Sequence, residues 1–242
     1  MSADWPAIVD NTWPAARYIR DGAFLLREGQ GGGSRVSAAT LQGTVTTGAI
    51  AEAEDKMREM GQRRLFMIRP GDTKLDADLE VRGYTVLDPV NIYSCPAAML
   101  TDLPVPRVTV FAVWEPLAIM HEIWSRAGIG PARWAVMQRA RGPKTGLLSR
   151  RKDKPAGAGF AAIHETTAMV HALEILPEHQ REGLGGWAMR AAAFWALDQG
   201  AETLSVICTK ANAGANALYR SLGMQIAGQY HYRVLNQTGE PI

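Results

Sequence analysis

Residues 173–186 read Leu173-Glu174-Ile175-Leu176-Pro177-Glu178-His179-Gln180-Arg181-Glu182-Gly183-Leu184-Gly185-Gly186. An apolar strand-like run passes through a short polar turn into a glycine-bearing start of a long Ala-rich helix, 183–200. The first N–H groups of such a helix lack internal partners and carry the positive end of its dipole. Glycines there let a phosphate approach the backbone closely, so the turn is a candidate anion cradle. A tight strand-to-helix turn whose glycines only ease packing would use the same residues. The pattern is not a Walker A loop, because no Lys-Ser/Thr follows the glycines and no Mg²⁺ ligand set is visible. Nor is it a Rossmann turn, which would put an acidic residue on the next strand. That strand, 204–208, ends in Cys208-Thr209 instead.

Working outward, the second half reads as a strand at 108–113 and helices at 116–127 and 131–140. Pro116 and Pro131 suit first-turn positions. A hairpin of 144–149 and 157–163 follows, then a strand at 168–176 and the Ala-rich helix. Strand 204–208, helix 214–222 and strands 224–227 and 230–235 complete it. The first half reads as strands at 23–27 and 35–40, a helix at 49–60, a strand at 65–68, a helix at 73–82, and strands at 84–87 and 90–93. A Pro-punctuated connection near 98–106 is the expected boundary, giving domains 1–104 and 105–242. The fold class is mixed α/β (an α+β mixed sheet), with helices laid over sequential strands.

Composition narrows the function. A net charge of +2 lacks the basic excess of a dedicated nucleic-acid binder. The run Arg150, Arg151, Lys152 and Lys154 reads as a solvated hairpin turn. Cys95 and Cys208 form no CxxC pair and no metal-ligand spacing, so no metal site is expected and the thiols read as reduced, which suits a cytoplasmic protein. Residues 1–11 contain Asp4, Pro6 and Asp10 and no long apolar run, so no signal peptide is expected, and nowhere do eighteen apolar residues run together, so no membrane span is expected.

The spacing Gln180-x-x-Gly183-x-Gly185 between a strand and a helix resembles the pyrophosphate signature Q/R-x-x-G-x-G/A of the GNAT acetyltransferase superfamily. A second element agrees. Asn212 and then Asn216-Ala217-Leu218-Tyr219-Arg220-Ser221-Leu222-Gly223-Met224 resemble that family's strand, Asn and A-x-x-L-Y-x-x-x-G-F, with Met224 in the aromatic position. The resemblance spans about 105–232 and implies a GNAT-like fold with acetyl-coenzyme A as cosubstrate.

The resemblance implies roles for individual residues. Backbone amides of Arg181, Glu182, Gly183, Leu184, Gly185 and Gly186, introduced by Gln180, would hold the coenzyme A pyrophosphate, with the Glu182 side chain pointing outward. Strand 168–176 would splay from 204–208. The Leu173 N–H would then polarise the thioester carbonyl, and Ile175 would pair with the pantetheine amides. Tyr219 would be the general acid for the leaving thiolate; a phenol of pKa near 10 can protonate a thiolate whose acid has a pKa of roughly 8.5. Asn212 would hydrogen-bond the cofactor arm or water, and Asn216 would contact the cofactor or cap its helix. Where several family members carry a catalytic Glu, this chain has Met169. Period two puts Met169, His171, Leu173 and Ile175 on one face, which offers His171 as the base. Glu174 is the rival, on the other face unless a bulge re-aims it. For each, an ordinary packed polar residue is the alternative. No Ser–His–Asp or Cys–His nucleophile pattern emerges, so direct attack by the amine is expected.

Aligning Gly83-Tyr84 with Gly223-Met224 puts Leu79 on Tyr219, and the order of elements matches across both halves. Residues 41–46 lack the Gly-x-Gly turn. The first half thus reads as a degenerate GNAT-like lobe, non-catalytic, in tandem with the second. The expected acceptor is the primary amine of a small molecule. A protein N-terminus or lysine, or a non-catalytic acyl-coenzyme A sensor, are the alternatives. Oligomeric state is not legible.

Overall fold

The structure, a computed structural model, describes residues 3–235. In chain order the elements are α1 (Trp5–Thr12), β1 (Arg17–Asp21), β2 (Phe24–Glu28), β3 (Thr40–Leu41), α2 (Ala49–Glu59), β4 (Leu65–Ile68), α3 (Thr73–Val81) and β5 (Thr85–Pro96). There follow β6 (Val110–Val113), α4 (Ala118–Arg126), α5 (Pro131–Arg139), β7 (Lys144–Arg151), β8 (Lys154–His164), β9 (Thr167–Ile175), α6 (Leu184–Asp198), β10 (Thr203–Thr209), α7 (Ala213–Ser221) and β11 (Gln225–Val234). The mixed α/β class expected from the sequence is the one observed.

The described chain divides into two compact units, each discontinuous in sequence: one of 3–14, 92–208 and 212–228, the other of 15–91, 209–211 and 229–235. The units therefore cross the 104/105 boundary in both directions. Strands expected as pairs are the reason. Residues 84–87 and 90–93 were read apart at Asp88-Pro89, yet β5 runs through them, because Pro89 lacks only a donor. Its carbonyl accepts from the Lys210 N–H at 2.7 Å. Likewise β11 runs through the supposed turn at Gly228. A Cβ there would lie 3.2 Å from Ile92 Cδ1 and 3.3 Å from Trp5 Cδ1, so this glycine serves close packing.

In the first unit the strand order is β11-β5-β10-β9-β8-β7-β6. The Ala-rich α6 lies on one face, and its Met189, Ala192, Ala193 and Ala196 share a core with Leu147, Ala161, Val170 and Val206. Small residues let helix and sheet approach closely. On the opposite face lies α1, unread in the sequence. Asp4 caps it, accepting from the Ala7 N–H at 3.1 Å. The β7–β8 hairpin turns on Lys152-Asp153, both at positive φ (48° and 62°), as a twist-matched two-residue turn requires. Arg150 and Arg151 are thus strand residues, a correction to the longer basic turn.

In the second unit β1-β2-β3 form one sheet and β4-β11-β5 lie adjacent. Strand 35–40 is absent. Ser34–Val36 is a 3-10 turn, and only Thr40–Leu41 pairs with β2. Phe24, Leu26, Met57, Phe66, Leu75 and Leu79 make its core.

Candidate active site

The site is set by how β9 leaves its neighbours. β9 pairs in parallel with β10 from Thr203↔Thr167 to Val206↔Val170, and no further. Both strands continue, to Ile175 and Thr209, without pairing. Beyond Val170 the two strands are therefore no longer laddered to each other. Side chains from 172–175 and 207–209 are only half-buried there.

On its other side β9 pairs with β8, and the register slips. Phe160 faces His171 whereas Ala158 faces Glu174, so β9 carries one extra residue. Ala172, at φ 48°, makes this bulge, and its carbonyl accepts from Trp124 Nε1 at 2.9 Å. Period two therefore fails beyond His171. Met169, His171 and Glu174 share the face of Ala162, Phe160 and Ala158, while Ile175 shares that of Gly157. The expected common face of Met169, His171, Leu173 and Ile175 is corrected, and Glu174 is re-aimed to the side of His171.

The two candidate bases differ in their surroundings. His171 is 4% exposed, with its ring centroid 5.0 Å from Trp13 and 6.2 Å from Phe160. Its Nε2 lies 3.0 Å from Thr12 Oγ1. The Thr12 hydroxyl donates to Ile8 C=O at 2.7 Å, so His171 Nε2–H is the donor in that contact. α1 thus encloses His171 in aromatic packing. Glu174 is half-buried, and burial raises its pKa above the usual carboxylate value, opposed by the charge of Arg133 on α5.

Tyr219 is 5% exposed, and its ring lies 5.5 Å from that of Tyr93. Among the described residues its hydroxyl has no hydrogen-bond partner, an arrangement suited to donating toward a ligand. Burial, then Cys208 and Glu174, push its pKa well up, so the phenol is protonated at neutral pH. Glu174 is thus one of the charges that act on Tyr219. Burial also raises the Cys208 thiol to about 11, which disfavours a thiolate nucleophile.

The loop after β9 leads into α6 through two left-handed residues. Gln180 Nε2 donates to Ile175 C=O at 3.1 Å and ties the loop to the strand end. Arg181 (φ 65°) and Gly183 (φ 81°) take left-handed conformations that turn the backbone into α6. Gly183 is the N-cap and offers no side-chain cap, and Trp187 N–H is the first to close the helix, onto Gly183 C=O at 3.1 Å. The N–H groups of Leu184, Gly185 and Gly186 therefore lack partners within the helix. A Cβ on Gly185 would lie 2.9 Å from Leu218 Cδ2, so a larger residue there would push the Leu218 side chain of α7 aside. Glu182 turns away to Arg151, 2.7 Å distant, in the outward direction expected of it.

Asn212 and Asn216 make contacts within α7 and to β5. Asn212 caps α7, its Oδ1 accepting from the Ala215 N–H at 3.0 Å. Asn216 is buried, donating to Asn212 C=O at 2.6 Å and accepting from the Tyr93 hydroxyl at 3.0 Å. The capping considered for Asn216 thus falls to Asn212, and both support the helix that carries Tyr219. Trp124, Arg133 and the Thr12–Trp13 pair were missed. Nothing in their local sequence distinguishes them from core or surface residues, and Thr12 stands 159 positions from His171.

Comparison with known proteins agrees with this geometry. Residues 115–224 match the sequence model of the Acetyltransferase (GNAT) family. A Bacillus subtilis (strain 168) protein named "Uncharacterized N-acetyltransferase YobR" is 24% identical over 232 residues, covering 92% of this chain and 94% of that one. The GCN5-related N-acetyltransferase from Kribbella flavida has the same fold, with a TM-score of 0.67 and 18% identity over 95% of this chain and 93% of its own. So has a tandem GNAT protein from the clavulanic acid biosynthesis pathway, with a TM-score of 0.59 and 12% identity over 94% of this chain and 86% of that one. The cradle, the parted strands and the tyrosine helix lie inside the matched segment: residues 115–224 are an acyltransferase domain of the GNAT family.

Proposed function

We propose that the protein moves an acetyl group from acetyl-coenzyme A directly to the primary amine of a small molecule. The observation that carries this reading is the parting of β9 from β10 after Val170, beside the uncapped start of α6. An extended arm ending in a pyrophosphate fits these two features together: main-chain groups of 171–175 for the arm, N–H groups of 181–186 for the phosphates. When bound, acetyl-coenzyme A supplies an activated acetyl thioester. The peptide N–H of Leu173 polarises its carbonyl as negative charge develops there. Glu174, re-aimed by the bulge, accepts one proton from the acceptor ammonium, and the amine nitrogen bonds the acetyl carbon as the carbon–sulfur bond breaks. Tyr219 gives its proton to the departing thiolate, and the second proton released as the amide forms restores the balance. His171 orients this strand through its contacts with Thr12 and Trp13.

The first half, 1–104, is read as a worn copy of the second that carries no chemistry. Cys95 and Cys208, both free thiols, support a cytoplasmic setting. No described helix is long and apolar enough to cross a membrane.

The test has two parts. Calorimetry with acetyl-coenzyme A should show saturable heat, and mass spectrometry of an amine panel should show a product one acetyl group heavier. Heat without any product would favour an acyl-coenzyme A sensor; no heat with any coenzyme A species would overturn the reading.

A further inference from the structure

The bulge of β9 is built on an alanine in a conformation that alanine disfavours. Ala172 sits at φ 48°, a left-handed backbone that crowds a Cβ and is more often given to glycine. The bulge also takes Ala172 out of the ladder. Phe160 pairs with His171 and Ala158 with Glu174, and no residue of β8 is registered against Ala172. Its carbonyl therefore needs a partner elsewhere. Trp124 of α4, fully buried, supplies one, its Nε1 donating to Ala172 C=O at 2.9 Å. The indole is itself held in place. The His121 ring meets it edge-on, centroids 5.8 Å apart, and Trp134 of α5 packs on His121 at 4.2 Å. Trp134 Nε1 donates to Ile129 C=O at 2.8 Å, and the Ile129 N–H donates to Trp124 C=O at 2.8 Å. The α4–α5 connection is thus closed onto the residue that carries the clamp.

What the bulge decides is the direction of Glu174. In a regular strand, period two would put Glu174 on the face opposite His171; with one residue added, the two share a face. We propose that Trp124 is a positioning residue for acetyl transfer: its indole N–H holds the Ala172 bulge and so keeps Glu174 aimed as the base. Without that hydrogen bond, nothing offsets the left-handed strain of a non-glycine residue, and the segment relaxes toward the regular strand. The carboxylate then turns to the other face. This inference rests on the acetyl-transfer reading above, in which Glu174 takes the proton, and adds the group that fixes where Glu174 points.

A double-mutant cycle on the full chain tests this, assayed with acetyl-coenzyme A and the most active member of the amine panel. Trp124→Phe keeps an aromatic ring and removes the N–H. It should lower kcat about ten- to a hundred-fold, the scale of a small misplacement of a reacting group, and flatten the acid limb of kcat/KM. Made in Glu174→Gln, the same substitution should cost at most about a further two-fold, because the residue it positions is already gone. Adding Ala172→Gly to Trp124→Phe should return most of the rate and the acid limb, since glycine holds positive φ without a clamp. A merely structural indole would not be rescued from that position. If Trp124→Phe does not melt cooperatively, Ala172→Val takes its place in the cycle, because a β-branched residue resists positive φ at the half-buried bulge itself. A clamp variant at full rate, losses that multiply with those of Glu174→Gln, or no rescue by Ala172→Gly overturns the inference and leaves the base reading standing. A fully active Glu174→Gln overturns the base reading and the inference with it.

Discussion

Two helices in this chain begin in the same way, and only α6 follows a strand that parts from its neighbour. α2 starts at Gly48 (φ 89°) and α6 at Gly183 (φ 81°), both left-handed, both without a side-chain cap. The helices that follow end alike as well. Gly83 N–H bonds Glu80 C=O and Gly223 N–H bonds Arg220 C=O, both at 2.9 Å; Tyr84 N–H bonds Leu79 C=O and Met224 N–H bonds Tyr219 C=O, both at 3.1 Å. The differences lie in a few side chains and one strand. Counting from the N-cap glycine, α2 has Ile50 where α6 has Gly185, and Glu52 adds an acid to its first turn. Leu79, fully buried, stands where Tyr219 stands. β3 has two residues and no bulge, whereas β9 has nine and parts from β10. The backbone device is therefore common property; a parted strand and a second glycine are what set the α6 start apart, and on these the proposed binding site rests.

The largest effect should come from trying to separate the compared regions physically. Deleting residues before Val105 removes α1 and residues 92–96 of β5 from the unit that holds Tyr219 and Glu174. Phe160 and His171 lose the cover of Trp13, and β10 loses its neighbour. The truncated chain should be insoluble or lack a cooperative thermal transition by circular dichroism; a soluble fragment with unchanged kinetics would break the account of the fold. Next come the two cap glycines. Gly183→Val and Gly48→Val each force a β-branched residue to positive φ, and each should cost at least about 1–2 kcal/mol of stability. Only Gly183→Val should also lose acetyl-coenzyme A affinity by calorimetry, and equal losses would erase the distinction between the helix starts.

Tyr219→Phe makes the C-terminal helix resemble its apolar counterpart at Leu79. It should lower kcat about a hundred-fold while leaving KM for acetyl-coenzyme A nearly unchanged, as expected when a general acid is removed. The smallest effect concerns Glu174. Its pKa is raised in the folded state, so the folded protein binds the proton more tightly, and stability falls as pH rises from the unfolded pKa through the folded one. Glu174→Gln should therefore melt higher than the parent at pH 8 and alike at pH 4, and should lose the acid limb of kcat/KM. A lower melting temperature at pH 8 would show that the carboxylate is structurally satisfied.

The same comparison explains what the sequence could disclose. Gln180-x-x-Gly183-x-Gly185 was legible because glycine chemistry and helix-start physics are local. Tyr219 was legible through its fixed distance from Gly223. Glu174 was half-legible: period two gave its parity, but the extra residue at Ala172 shows only in the partner register with Phe160 and Ala158. The enclosure of His171 was hidden because its cover comes from Thr12 and Trp13 at the far end of the chain. Strand continuity through Asp88-Pro89 and Gly228 is not legible locally, because proline and glycine signal turns in a sequence, whereas here one supplies a carbonyl and the other a close approach.

β5 and β11 each belong to both compact units, which has a consequence for how the molecule is made. Tyr232 of β11 sits beside Met67 of β4, so the unit built mainly from residues 15–91 receives one of its strands from more than 130 residues further along. On a ribosome that unit stays short of this strand until residues up to Val234 have been translated. Its completion waits on a contact between distant parts of the polypeptide, the kind of closure that slows folding. Nascent chains halted before Gln225 should therefore be far more sensitive to proteolysis than their length alone would indicate.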